Sequence, residues 1–101
     1  MIFIYSTFLN KEEAEKMAEA LIREKLAACV NILASDSVYA GKGKIEKSKE
    51  VVAIIKTRKI NFKKVEKFIS QNHSYKIPCI AGIPVRKFNK KYFRWLKETL
   101  K

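Results

Sequence analysis

The sequence contains few of the residues from which metal centres and catalytic sites are usually built. Its 101 residues include two cysteines, one histidine, three glycines and two prolines. The cysteines are not spaced as Cys-x-x-Cys, so the pattern typical of a structural zinc site is missing. A single histidine among scattered acids gives no support for a Ser-His-Asp or Cys-His-Asn arrangement. We therefore expect no catalytic residues and no enzymatic activity.

Long apolar runs and glycine-rich phosphate loops are also missing. No apolar run approaches the roughly 20 residues that a membrane span needs. Residues 1–5 lack the basic segment of a signal peptide, and no small-residue cleavage site follows them. We therefore expect a cytoplasmic protein with reduced thiols and no membrane partner. Gly41-Lys42-Gly43 lacks the rest of either nucleotide fingerprint and is better explained as a hairpin turn.

Acidic residues are scarce in the second half of the chain. The net charge is +12. Residues 1–50 contain eight basic and eight acidic residues, whereas residues 51–101 contain 14 basic and two acidic ones. This asymmetry indicates either an anionic partner or a lysine-rich solvated surface, and the second is the more common case.

The apolar pattern predicts the element order β-α-β-β-α-β-α for a single domain, 1–101. Right-handed crossovers close this order as an α+β, ferredoxin-like βαββαβ sandwich with an extra C-terminal helix. The second and third strands are longer than the usual 5–6 residues, so their hairpin should overhang the sheet and leave edges that need a partner. The predicted strands are 2–8, 28–39, 44–58 and 78–85, and the predicted helices are 11–25, one after Asn61 and one capped by Asn89.

Three soft metal ligands remain, Cys29, His73 and Cys79. Cu(I) accepts fewer and softer ligands than structural zinc, so we predict weak binding of copper, or another divalent metal, at these residues, with Cys29 as the first candidate ligand. Each residue also has a structural interpretation. A cysteine that enters an apolar strand packs as a small hydrophobe, and His73 can form hydrogen bonds beside Tyr75. Both interpretations stay open.

Lysines occupy the first turns of the last two helices, where the helix dipole disfavours cations. A cation there becomes favourable if an anion binds between it and the helix amides. We therefore predict a possible anion site at Lys63, Lys64, Lys90 and Lys91. The alternative is that Lys63 and Lys64 pair with the acidic first helix.

Nucleic acid is the least favoured partner, and nonspecific binding driven by the net charge of +12, with an affinity that falls steeply with salt, is a third and weaker candidate function. Lys90, Arg94, Lys97 and Lys101 form one stripe on the last helix. The strands, however, lack the Lys/Arg-Gly-Phe-x-Phe pattern of an RNA-binding sheet.

Several motifs, in order, resemble those of the divalent-cation tolerance proteins of the CutA family, over nearly the whole chain. The most specific is Leu26-Ala27-Ala28-Cys29-Val30-Asn31. The others include Tyr5-Ser6-Thr7-Phe8, Gly43-Lys44-Ile45-Glu46, His73-x-Tyr75-x-x-Pro78 and Tyr92-x-x-Trp95-Leu96.

The resemblance implies a non-enzymatic homotrimer, joined through the long hairpin strands, that is linked to tolerance of divalent cations, copper especially. Such trimers are similar to the PII signalling proteins, so the alternative function is a sensor of an anionic metabolite or nucleotide at subunit clefts. This chain departs from the family at Gly41, where relatives usually have tryptophan, and at Cys79, where they often have glutamate. The second departure replaces a carboxylate that could engage a hard cation with a thiol.

Overall fold

A four-stranded antiparallel sheet with strand order β2-β3-β1-β4 forms the framework of the protein. The structure is a computed structural model that describes all 101 residues. It confirms the α+β, ferredoxin-like class and the extra C-terminal helix. None of its helices is both long and apolar enough to cross a lipid bilayer. The strands are β1 (Ile2–Phe8), β2 (Cys29–Ala40), β3 (Ile45–Thr57) and β4 (Ile80–Pro84), and the helices are α1 (Lys11–Arg23), α2 (Phe62–Asn72) and α3 (Lys90–Thr99).

Helix α1 begins and ends through local backbone chemistry. Asn10 Oδ1 accepts the amide of Glu13 at 2.9 Å, which satisfies one free donor of the first turn. At the other end, Lys25 takes a left-handed φ of 57°. This allows the Leu26 amide to bond the carbonyl of Leu21 at 2.9 Å and close the helix. The helix therefore ends two residues before the predicted 25.

The main core lies between the sheet and helices α1 and α2. Alternate residues of β1 point towards the helices, and Ile4 and Phe8 are almost completely buried there. From α1, Leu21 is fully buried against them, and α2 contributes Val65 and Ile69. Because strands repeat every two residues and helices every 3.6, these positions were readable from the sequence.

Helix α3 covers one end of the opposite sheet face. Leu96 and Leu100 form a second buried cluster there with Ala28. The helix begins after Asn89 as predicted, but the Asn89 side chain makes no capping hydrogen bond. Strand β4 is also shorter than the predicted 78–85, because only Ile80–Pro84 pairs with β1.

The β2–β3 hairpin extends beyond the rest of the sheet, as predicted. Residues 51–57 of β3 pair with β1, whereas residues 45–50 pair only with residues 35–40 of β2. The turn between the strands uses Gly43 at a φ of +72°, which is why a glycine is needed there. The overhang gives the molecule a long axis of 47 Å, against 26 and 21 Å in the other directions.

Candidate functional site

A cavity of about 610 Å³ lies where the hairpin, β1 and the segment before β4 meet. We call it the Glu50 cleft. Its walls are apolar at Leu9 and Ile77 and polar at Glu50 and Lys49. The complete set of lining residues is Thr7, Leu9, Tyr39, Ser48, Lys49, Glu50, Tyr75, Ile77 and Cys79.

Glu50 is held in the cleft as an ionised carboxylate. The hydroxyl of Tyr75 donates to Glu50 Oε2 at 2.7 Å. Hydrogen bonds from Ser37, Tyr75 and Thr7 lower the pKa of Glu50 and outweigh the opposite effect of desolvation. Burial, followed by the bond to Glu50, raises the pKa of Tyr75 to about 12. The pair is therefore a carboxylate and a protonated phenol over the whole physiological pH range.

His73 uses both ring nitrogens within the chain. Its Nδ1 accepts the backbone amide of Tyr75 at 2.9 Å, and its Nε2 lies 2.8 Å from the carbonyl oxygen of Thr7. A carbonyl only accepts, so the proton resides on Nε2. The ring also stacks on Phe8, with centroids 4.7 Å apart. To bind a metal, His73 would have to release one of these hydrogen bonds.

The two cysteines lie at distant corners of the sheet. Cys79 is exposed, lines the Glu50 cleft and accepts the Ser6 hydroxyl at its backbone oxygen at 2.7 Å. Cys29 is half-buried at the start of β2, paired in register with Lys56 at the opposite end of the sheet. His73 and Cys79 thus both approach Thr7, and Cys29 lies apart from them. No three His, Cys, Asp or Glu side chains of one chain converge in a way that could hold a metal ion.

The four predicted anion-binding lysines remain on two separate helices. Lys63 and Lys64 are exposed in the first turn of α2, and Lys90 and Lys91 are exposed in the first turn of α3. None of the four takes part in an ion pair. The alternative that Lys63 and Lys64 pair with α1 therefore has no contact to support it. The acids of α1 pair instead with lysines on their own helix.

Sequence analysis missed the hydroxyl cluster around Glu50. Its members come from β1, β2, β3 and the segment after α2, and Tyr75 is 25 residues from the carboxylate that it contacts. One signal was present. Residues 46–50 of β3 are all polar, whereas residues 51–55 are apolar, and Glu50 is the last polar residue before the apolar run.

Comparison with known proteins supports one family throughout. The family model described as CutA1 divalent ion tolerance protein matches residues 2–99. The divalent-cation tolerance protein CutA of Archaeoglobus fulgidus is 43% identical over 98 residues, which cover 97% of this chain and 96% of that protein. The chloroplastic protein CutA of Arabidopsis thaliana is 37% identical over 97% of this chain and 54% of its own length.

Solved structures agree with this assignment. The crystal structure of CutA1 from Pyrococcus horikoshii matches with a TM-score of 0.94 and 40% identity, over 100% of this chain and 99% of that one. A structure described as the periplasmic divalent cation tolerance protein CutA from Archaeoglobus fulgidus matches with a TM-score of 0.95 and 42% identity, over the full length of both chains. The motifs, the fold and the length of the matches agree, and the chain belongs to the CutA1 family of divalent ion tolerance proteins.

Proposed function

We propose that the chain supports tolerance of divalent cations as a non-enzymatic homotrimer that binds copper or another divalent metal weakly. The metal-binding part of this proposal is supported by the exposed thiol of Cys79 in the Glu50 cleft. The same cleft holds the ionised carboxylate of Glu50, which pairs with no basic residue, because Lys49, which also lines the cleft, pairs with Asp36 at 2.9 Å.

Cys79 is the best-placed of the three predicted ligands. A thiol prefers soft ions such as Cu(I), whereas the Glu50 oxygens already accept hydroxyl donors that a hard cation would have to displace. Cys29 is a poorer candidate because it stands opposite the positively charged Lys56. Since one chain does not supply three converging ligands, a tight site needs ligands from a second chain.

The trimer part of the proposal is supported by apolar surface that this chain leaves uncovered. On the overhanging hairpin, Val38 is 65% exposed and Ile45 is 74% exposed. Leu33 and Ile83 are about half exposed on the sheet face that α1 and α2 do not cover. Burying a fully exposed side chain of this kind is worth roughly 1.5–3 kcal/mol, so burying the half to three-quarters that is exposed here would contribute roughly 1–2 kcal/mol per side chain to packing with a second copy.

Two measurements test these parts separately. Sedimentation of the wild-type protein at micromolar concentration should show a trimer, and a monomer would contradict the assembly. Anaerobic competition against a colorimetric Cu(I) chelator should show at least a tenfold weaker affinity for Cys79→Ala. Cys29→Ala is the matched control and should bind like wild type. Equal affinities of wild type and Cys79→Ala would remove Cys79 from the site.

A cytoplasmic location belongs to the same proposal. Relatives are described as chloroplastic in one case and periplasmic in another, so the location varies within the family. Fractionation of the native cells with a specific antibody tests it, and recovery in a membrane or exported fraction would contradict it.

A second candidate function is a PII-like sensor that binds an anionic metabolite or nucleotide at clefts between subunits. The observation in its favour is the set of exposed lysines without ion pairs, Lys63, Lys64, Lys90 and Lys91. Thermal-shift screening with phosphates and nucleotides at low and moderate salt is the test. No stabilisation by any of these anions would rule this function out.

A further inference from the structure

A second cavity, of about 410 Å³, lies between the β4–α3 connection and the start of α3. We call it the α3 groove, and its lining residues are Met1, Val85, Arg86, Lys87, Phe88 and Phe93. The rings of Phe88 and Phe93 are nearly parallel, 25° apart with centroids separated by 5.9 Å. Phe93 is 36% exposed, and Arg86 and Lys87 stand exposed at the rim. An accessible aromatic surface is therefore flanked by two cations.

A basic stripe runs along α3 from this groove. Lys90, Arg94 and Lys97 repeat at helical spacing and share one side of α3, whereas Lys101, predicted to extend the stripe, follows the end of the helix at Thr99; all four are exposed. None of them forms an ion pair. Lys97 Nζ lies over the Phe93 ring, 4.8 Å from its centroid, and Phe88 stacks against the same ring, so a base that stacks on Phe93 takes the place of Lys97. The aromatic surface and the stripe are therefore one continuous surface rather than two separate features.

We propose that the α3 groove and the basic stripe bind single-stranded nucleic acid, with a base stacked on Phe93 and phosphates on the stripe. Cations spaced along a helix suit a ligand with repeated negative charges, and the interleaved ring suits a flat base. An acidic protein segment would use the cations but would gain little from the ring. A duplex keeps its bases stacked inside, so the single strand is the form that reaches Phe93.

The sheet lacks the Lys/Arg-Gly-Phe-x-Phe pattern of an RNA-binding surface. Its aromatic residue at this end, Phe3, is covered by Phe88, with ring centroids 6.0 Å apart, and by Lys56. The exposed ring of Phe93 lies on α3 and not on a strand. The groove is also at the Pro84 end of β4, and the Glu50 cleft is at its Ile80 end. Binding of nucleic acid is thus independent of the metal proposal.

Fluorescence anisotropy with a labelled 15-nucleotide deoxythymidine strand, measured across a salt series, tests the inference. Six basic side chains at the groove and stripe predict a slope of about −4 in log K against log salt, at roughly 0.7 per phosphate contact. Phe93→Ala should weaken binding roughly 5- to 100-fold and leave the slope nearly unchanged, because it removes a stacking contact and no charge. Lys90→Gln/Arg94→Gln should make the slope shallower by about 1.4.

The matched control is Lys63→Gln/Lys64→Gln, which removes the same charge from α2. The affinity should fall by less than about threefold, which is the effect of losing two charges far from the binding surface. The salt slope should stay the same. Thermal unfolding of every variant checks that the fold is intact. The inference is overturned if the α2 pair weakens binding as much as the α3 pair. It is also overturned if polyglutamate competes as well as the oligonucleotide, or if Phe93→Ala binds like wild type.

Discussion

The Glu50–Tyr75 hydrogen bond should measurably stabilise the fold, because it joins the hairpin to the segment that leads into β4. Tyr75 follows His73, which is itself bonded to β1 through the carbonyl of Thr7. The phenol therefore connects three separate parts of the chain. Tyr75→Phe removes the hydroxyl that donates to Glu50 at 2.7 Å and leaves the ring in place.

The expected loss is about 1.5 kcal/mol in the free energy of unfolding. A hydrogen bond to a charged group contributes roughly 1.5–3 kcal/mol. The lower end applies because both residues are only partly buried, and because Ser37 and Thr7 also bond to Glu50. Urea unfolding of a double-mutant cycle with Glu50→Gln should give a coupling energy of about 1 kcal/mol.

The pH dependence follows from the two pKa shifts. The pKa of Glu50 is below its ordinary 4.5, so its contribution is complete above about pH 4.5 and is lost as the pH falls through the folded-state pKa. The pKa of Tyr75 is raised from 10.0 to about 12. The stability difference between wild type and Tyr75→Phe should therefore be constant from pH 6 to about 10 and shrink between pH 10 and 12.

The control is Tyr39→Phe. Tyr39 lines the same cleft, and its hydroxyl makes no hydrogen bond in the chain, so its loss should change the unfolding free energy by less than about 0.5 kcal/mol. All variants are compared at one protein concentration, since assembly contributes to apparent stability. The reasoning is refuted if Tyr75→Phe is as stable as wild type, or if the cycle shows no coupling.

Three further predictions concern the backbone. Lys25→Gly should stabilise the protein by about 0.5–1 kcal/mol in urea unfolding, because φ is 57° at this position and glycine adopts that value without strain. The control Glu24→Gly, at a φ of −84°, should destabilise the protein. If both variants were more stable than wild type, relief of backbone strain would not be the cause. Asn10→Ala should lower the unfolding free energy by about 1 kcal/mol, whereas Asn89→Ala, at a cap without a side-chain bond, should have a smaller effect. If Asn10→Ala and Asn89→Ala lowered the unfolding free energy equally, the capping hydrogen bond of Asn10 would not be the cause of the loss. Gly82→Ala should lower the melting temperature, with a loss of about 1 kcal/mol, because the new methyl carbon would lie 3.1 Å from the Phe62 ring and 2.7 Å from the terminal Cδ1 of Ile2, a flexible atom that can move aside. A melting temperature equal to that of wild type would show that the structure accommodates the added methyl group without a steric clash.

Features that depend on interactions between neighbouring residues could be predicted from the sequence better than features that depend on distant ones. The start of α1 was predictable because Asn10 and Glu13 are neighbours in one turn. The end of α1 was missed because a lysine, rather than the usual glycine, takes the left-handed position at Lys25. Asn89 has the residue type of a cap, but the structure gives its side chain no capping bond. Local propensity thus predicted where elements occur better than how their ends are made.

In the candidate site, too, local residue chemistry could be predicted from the sequence and long-range contacts could not. Residue chemistry was enough to identify Cys79 and His73 as candidates, but it could not show that His73 already uses both nitrogens. Glu50 was missed because its hydroxyl partners come from three other segments of the chain, and no spacing along the sequence indicates that they meet. The spacing of Phe93 with Leu96 and Leu100 indicates the apolar face of the last helix, whereas packing leaves Phe93 partly exposed beside Lys97.

The sequence by itself determined the family, the element order, the overhanging hairpin and the concentration of positive charge in the second half. Those properties depend on residue type and on periods of two and 3.6 residues, which are written along the chain. Only the tertiary structure decided that Cys29 and Cys79 lie apart, that Glu50 is ionised among hydroxyls and that the α3 groove joins a basic stripe. These outcomes depend on strand register and helix docking, which bring together side chains whose separation in sequence carries no information about their distance in space.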